Sequence, residues 1–323
     1  MTTDRPAIDR PATDPGPFHA GERDIQARYG LAHKMEQIGR KVIRPVMPLQ
    51  HQVFFMQLPS FFLGWQDGNG RPWASVLTGA PGFLSAPNDS LLRVDALPAA
   101  DDPLRAHLAV GAKVGGLGLE FQTRRRNRLN GTVTALDAAG FTIGVEQSFG
   151  NCPQYIQTRD LVPAENAGRE IAVESFGTLA AADIALIERA DTFFIASHAG
   201  PAEGAVSQGA DVSHRGGKSG FVRVTADGVL EFPDYAGNRQ FQTLGNIRTT
   251  GRAGLLFIDF EAGDLLRLTG DAEIVFEGPQ VDAVPGAERL VRLRPVAGSR
   301  VRGGMPLAWK FDAYSPVLER LGP

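Results

Sequence analysis

Gly115–Thr134 reads GGLGLEFQTRRRNRLNGTVT, and Gly254–Val275 reads GLLFIDFEAGDLLRLTGDAEIV. Each stretch is an apolar run, a polar turn and then alternation, the pattern of two antiparallel strands joined by a hairpin. In the second stretch Leu266, Leu268, Ala272 and Ile274 alternate with Arg267, Thr269, Asp271 and Glu273, and Glu261–Asp264 supplies the turn. Glu120-Phe121 and Asp259-Phe260 lie 139 residues apart, as do Gly131 and Gly270, and as do Phe54-Phe55 and Phe193-Phe194. With a one-residue gap, Ser75 pairs with Ser213, Gly79 with Gly217, and Gly82-Phe83 with Gly220-Phe221. A period this long marks a domain and not a solenoid repeat. The chain therefore reads as a tandem duplication. Gly131 and Gly270 fall where a barrel strand bulges or bends. Gly115-Gly116-Leu117-Gly118 lies inside an apolar run with no helix after it, so its glycines read as close strand packing and not as a nucleotide loop.

Working outward, Phe221–Phe232 reads as a hairpin turning at Ala226-Asp227-Gly228. Helices are expected over Glu22–Val42, stopped by Pro45 and Pro48, and over Leu179–Ala190. The expected fold class is mainly β with a few helices (α+β), two small barrels in tandem. An arm (1–20) precedes a first barrel (21–164) and a second (165–323), with the linker at Pro163–Gly168.

Composition bounds the function. A chain of 323 residues favours about two domains, and 43% hydrophobic with 21% charged residues is globular. A net charge of −3 lacks the basic excess of a nucleic-acid binder. The Arg124-Arg125-Arg126-Arg128 cluster reads as a solvated hairpin tip, with Arg126 and Arg128 able to face inward. No apolar run approaches the roughly 20 residues of a membrane span, and a cytoplasmic location is expected. Cys152 is the single cysteine, which excludes an intrachain disulfide and a multi-cysteine metal site. The six histidines show no zinc spacing, and neither a nucleophile elbow nor a phosphate loop is present.

The polar signal is concentrated in the second copy. Asp211–Phe221 reads DVSHRGGKSGF and Asp234–Gln240 reads DYAGNRQ. Arg215, Lys218 and Arg239, brought together, would hold a phosphate by charge-assisted hydrogen bonds; the alternative is a set of solvated turns. In the first copy Leu77, Ala80 and Ala99-Ala100 stand at the corresponding places. That asymmetry favours a ligand.

Gly209–Gly217 (GADVSHRGG), Phe232–Arg239 (FPDYAGNR), Gly254–Phe260 (GLLFIDF) and Leu268–Ile274 (LTGDAEI) together resemble the pyridoxamine 5'-phosphate oxidase-related proteins, which are FMN-binding split β-barrels. The resemblance spans most of 180–280 and, more faintly, 45–160, and is to the uncharacterised branch of that family. It implies two tandem FMN-binding split β-barrels, a flavin cleft between barrels, about one FMN per chain, and a homodimer. Ser213, His214 and Arg215 match the strand along the flavin, with Gly216, Gly217 and Lys218 following; Phe232 and Pro233 match the next strand end. Asn238, Arg239 and Gln240 match a Ser-Arg-Lys phosphate motif with Gln in place of Lys, and Lys218 is the candidate substitute. From the first copy, Asn127 and the pair Gln147-Ser148 match contacts that cover the ring, and Phe149–Ile156 resembles a segment that would place Cys152 near it; the alternative for a lone cysteine, and the commoner one, is a small buried residue. The implied function is an FMN-dependent oxidoreductase drawing electrons from NAD(P)H or a reductase partner. The alternatives are a flavin- or haem-binding protein without turnover, with His214 or His198 as axial ligand, and a flavin-free pseudo-dimer.

Overall fold

The computed structural model describes residues 16–164, 171–200 and 209–320. Three helices come first: α1 (Ala20–Arg28), α2 (Ala32–Val42) and α3 (Leu49–Met56). The first copy follows with β1 (Ser60–Gln66), β2 (Pro72–Thr78), β3 (Leu84–Asn88), β4 (Leu91–Val94), α4 (Leu104–His107), β5 (Lys113–Glu120), β6 (Arg125–Leu136) and β7 (Phe141–Gly150). Two strands and a helix connect the copies: β8 (Thr158–Val162), β9 (Ala172–Phe176) and α5 (Ala181–Arg189). The second copy comprises β10 (Thr192–His198), β11 (Ala210–Gly216), β12 (Arg223–Val224), β13 (Leu230–Tyr235), α6 (Gln242–Thr250), β14 (Arg252–Ile258), β15 (Leu265–Val275), α7 (Pro279–Asp282) and β16 (Ala287–Arg302). The chain closes with β17 (Ala308–Ala313), which pairs with β8, and α8 (Pro316–Glu319).

The fold is mainly β, and two of its sheets share one topology. The first sheet runs β2-β1-β5-β6-β7-β4-β3 and the second β11-β10-β14-β15-β16-β13-β12, the same antiparallel path taken twice. Register fixes the equivalences. Gly131 pairs with Val114, Gly270 with Ala253, and in both copies the next ladder shifts at that glycine, between Asn130 and Gly131 and between Thr269 and Gly270. Ser75 faces Leu63 as Ser213 faces Ile195. Each sheet closes over its own apolar cluster, one built on Phe61, Leu63, Trp65, Leu129 and Phe141, the other on Phe193, Ile195, Phe232, Leu268 and Leu293.

Three expectations change. Phe54-Phe55 lies in α3, whereas Phe193-Phe194 lies in β10; the true counterpart of Phe193-Phe194 is Phe61-Phe62 in β1, because Phe62 pairs with Leu117 as Phe194 pairs with Leu256. The 139-residue spacing of that anchor is coincidence, and the repeat rests on the other two. The expected helix over Glu22–Val42 is two helices, since Gly30 takes a left-handed φ of 67° that ends α1. Within the expected arm, Phe18 and His19 are buried, and His19 caps α1 in a capping box with Glu22. Residues 1–15 and most of the linker lie outside the described residues. Helix α1 packs on the second copy: Ile25 enters its core, and His19 Nε2 lies 2.8 Å from Asn246 Oδ1 on α6.

The two sheets meet face to face through β1, β2 and β5 on one side and β10, β11 and β14 on the other. Phe62 and Phe194, equivalent residues, stack with ring centroids 3.7 Å apart and planes at 14°, marking a pseudo-twofold axis. A third apolar cluster, including Leu117, Val212 and Leu256, fills this interface. Gly115 abuts the Ala210-Asp211 backbone and its equivalent Gly254 abuts Pro72-Trp73; an added Cβ would stand 2.5 Å and 2.2 Å from those atoms. Among the described residues no helix is long and apolar enough to cross a membrane.

Gly115→Ala and Gly254→Ala should each cost about 1–3 kcal/mol, because the opposing backbone cannot retreat from a core. Gly68→Ala, with open space around it, is the control, and denaturant melts of all three decide the matter. Stability should also fall in acid. Burial lowers the His51 pKa to about 4, where its Nδ1 lies 2.9 Å from Ser148 Oγ. The unfolded chain takes up the proton that the folded imidazole refuses, so this contribution is whole above pH 6.5 and is lost as pH falls towards 4. His51→Gln should make the loss between pH 6.5 and 4 shallower by about 1–2 kcal/mol in melts across that range.

Candidate functional site

A cleft of about 840 Å³, its solvent-open mouth included, lies where the two copies meet. From the second copy, β11 presents Ser213, His214, Arg215 and Gly216, and β13 presents Pro233, Asp234 and Tyr235. The loop into α6 adds Asn238, Arg239 and Phe241, the first turn of α6 adds Gln242 and Thr243, and β16 adds Arg289. From the first copy come Arg126 and Arg128 on β6 and the segment after β7, with Asn151, Cys152, Gln154 and Tyr155. Side chains alternate along a strand, so Arg126 and Arg128 reach the cleft on one face of β6.

Five guanidinium groups converge here on three carboxylates. Asp234 holds Arg215 at 2.5 Å and Arg289 at 2.8 Å, Glu288 holds Arg239 at 2.6 Å, and buried Asp211 pairs with Arg128. Among the described residues the Arg126 guanidinium has only the His214 carbonyl, at 3.5 Å. Among the described residues the balance is positive, and several donors are spare: Arg126 Nε, Arg128 Nε, Arg215 Nε and Arg289 Nη1 are buried without a hydrogen-bond partner. Burial, with the neighbouring guanidinium groups, pushes Arg126 down to about 10 and Arg128 to about 9. Both still carry charge at neutral pH, and an anion would relieve the repulsion.

Two features hold the cations in place. Arg289 lies over the rings of Tyr29 and Phe241, at 5.2 and 5.0 Å, and Arg128 over Phe149 at 5.2 Å. Backbone strain is concentrated at the same place: of the four described non-glycine residues at positive φ, Tyr155, Arg239 and Phe241 line the cleft and only Arg124 does not. Such conformations cost about 1–3 kcal/mol each and persist where the surroundings dictate them.

The other walls are apolar or neutral. Tyr155 and Tyr235 stack at 5.0 Å, and burial with nearby carboxylates raises the Tyr155 phenol to about 12, so it stays protonated and donates to the Ala236 carbonyl. His214 is buried, and among the described residues neither ring nitrogen has a hydrogen-bond partner. Burial and the surrounding arginines push it well below its ordinary value, leaving a neutral imidazole.

The structure thus brings together Ser213, His214, Arg215, Gly216, Pro233, Asn238 and Arg239 with Cys152. The remaining expected residues fall elsewhere. Phe232 points into the second core, and Gly217 packs against Phe221. Lys218 sits in the following turn, outside the cleft lining. Gln240 turns below the loop, where its side chain accepts from Gln242 and its carbonyl from Gln26. On the first copy Asn127 is buried beside Gly150, Gln147 accepts from Asn130, and Ser148 contacts His51. Period-two alternation explains this: Asn127 lies between Arg126 and Arg128 and faces the other way. Arg289 and Asp234 were not singled out in the sequence; β16 is remote from the loops, and only the ladder pairing Asp234 with Arg289 brings them together. His198 lines a different pocket with Trp65 and His107. Among the described residues no group of three or more His, Cys, Asp or Glu is placed to hold a metal ion.

No protein-family model and no curated protein matches the chain. Solved structures similar to it include HupZ of Group A Streptococcus, at 16% identity, 36% of this chain, 90% of that chain and a TM-score of 0.29. A Lactobacillus delbrueckii protein provisionally described as a pyridoxamine 5'-phosphate oxidase matches at 15% identity, covering 38% of this chain and 94% of the other with a TM-score of 0.30. An FAD-binding protein of Mesorhizobium loti matches at 12% identity, over 40% and 97%, with a TM-score of 0.27. Each match spans little more than a third of this chain, and at these scores the likeness carries nothing about ligand or chemistry.

Proposed function

We propose that the cleft binds the phosphate-bearing flavin FMN and that the protein is an FMN-dependent oxidoreductase, with electrons from NAD(P)H or a reductase partner. The observation that carries this reading is the set of spare, buried guanidinium N–H donors around an open cleft. Desolvated donors without partners cost stability, and a multiply charged anion such as a phosphate ester satisfies them. Beside them, Tyr155, Tyr235, Pro233 and Phe241 give the apolar walls that a flat aromatic ligand needs.

The chain's own groups have limited roles in this scheme. Arg126, Arg128 and Arg215 hold the anion, and their positive field favours a negatively charged, reduced ligand. Neutral His214 offers one nitrogen as donor and the other as acceptor. Tyr155 keeps its proton and serves as a wall. A bound flavin would supply two-electron transfer, chemistry that no protein side chain provides.

Protein dialysed against FMN should show absorbance bands near about 370 and 450 nm. Arg126→Leu is the cleanest probe, because Leu265 occupies the equivalent position in the second copy and is accommodated there. It should weaken FMN binding about 10- to 100-fold, the worth of a charge-assisted hydrogen bond. A protein that stays colourless sinks the flavin reading, and a Soret band in its place transfers the cleft to haem. Yellow protein that leaves NAD(P)H unoxidised, with a free flavin or quinone as acceptor, is a binder and not an NAD(P)H oxidoreductase. In a separate test, phosphate should raise the melting temperature of the wild type more than that of Arg126→Leu.

A further inference from the structure

The pseudo-twofold axis through Phe62 and Phe194 relates the first cleft to a second, closed one, a buried junction equivalent to the first with the copies exchanged. Its contents differ. By register, Leu265 stands for Arg126, Leu77 for Arg215 and Val76 for His214. Only one cation is kept: Arg267, the equivalent of Arg128. Arg267 is 1% exposed, and its Nη2 lies 2.9 Å from Oδ2 of Asp102, itself 2% exposed, with Asp101 at 3.6 Å. The other Asp102 oxygen accepts from Ser75 Oγ at 2.7 Å and from the Leu104 backbone N–H at 2.9 Å, at the start of α4. Trp65 Nε1 in turn donates to Ser75 Oγ at 2.9 Å.

The same three elements recur in the open cleft with no carboxylate at the helix start; the acid that meets the arginine there is Asp211, on β11. There the arginine is Arg128, the serine is Ser213, and the helix start is that of α6. Arg128 donates to the neutral amide of Gln242 at 2.9 Å, and Ser213 Oγ meets Thr243 Oγ1 at 3.2 Å. In the second cleft Asp102 brings a full negative charge to that junction.

We infer that the Asp102 carboxylate is a built-in anion: it occupies in the second cleft the place that a ligand anion takes in the first, so each chain holds one anionic ligand, in a site completed by its own two copies. The inference rests on reading the open cleft as an anion site. Removing the carboxylate leaves buried Arg267 with the more distant Asp101, at 3.6 Å, which is destabilising. The space left by Asp102→Ala is that of a carboxylate, and formate has that shape and charge.

The test has two arms. Asp102→Ala should melt several degrees below the wild type, and tens of millimolar formate should restore most of the loss while moving the wild type little. Asp102→Ala/Arg267→Leu should show no formate response. An Asp102→Ala protein equally unstable with and without formate overturns the inference. Should that variant fail to fold even in formate, native mass spectrometry of the wild-type chain with pyrophosphate decides: one bound per chain is expected, and two overturns it. The formate arm does not involve the first cleft, so failure of the protein to bind FMN leaves it standing.

Discussion

The contact on which the structure depends is the stack of Phe62 on Phe194 and the apolar sheet faces around it. Sheets of this kind normally expose one face. Here the exposed faces of the two copies are buried against each other, and the glycines at 115 and 254 let strand backbones come close enough to exclude water. Large aromatic area buried at the axis gives the interface its favourable free energy. It also sets the position of every group that crosses from one copy to the other.

The cations of the cleft follow from that interface. Arg128 and Arg267 reach across the axis from equivalent places on β6 and β15, and each meets an acid of the opposite copy, Asp211 or Asp102. A buried ion pair repays its desolvation only with good geometry and further hydrogen bonds. Asp102 has further hydrogen bonds from Ser75 and Leu104 on its other oxygen, and the pair is buried. In the open cleft, by contrast, the arginines outnumber the acids and three strained residues hold the rim, while unsatisfied N–H groups remain on its arginines as they do on Arg267. The difference between a closed ion pair and an open cationic cleft is a handful of substitutions on one topology.

Much of the fold was legible in the sequence. The repeat in Glu120-Phe121/Asp259-Phe260 and Gly131/Gly270, the hairpin turns and the glycine-rich β5 all rest on local rules: period two, turn residues and bulges. The break at Gly30 was missed because charge and apolar spacing continue through it, and the Phe54-Phe55 pairing failed because two buried aromatic pairs look alike in any context. Of the candidate site, the residues on β11 and the loop before α6 were legible because they are contiguous and absent from the first copy. The arginine cluster reads in sequence as a solvated hairpin tip; that Arg126 and Arg128 are drawn into the cleft, with Arg128 buried, is a matter of strand register across the copies.

The sequence by itself determined the duplication, the β character and the asymmetry of charge between the copies, since each is carried by neighbours along the chain. Tertiary structure alone decided that the two copies form one cleft within a chain, that Arg289 and Asp234 join it, and that Asn127, Gln147 and Ser148 do not. It also decided that Asp102 faces Arg267. These are contacts between residues far apart in sequence, set by strand register and by the way two sheets pack, and register is fixed only when both faces find their partners.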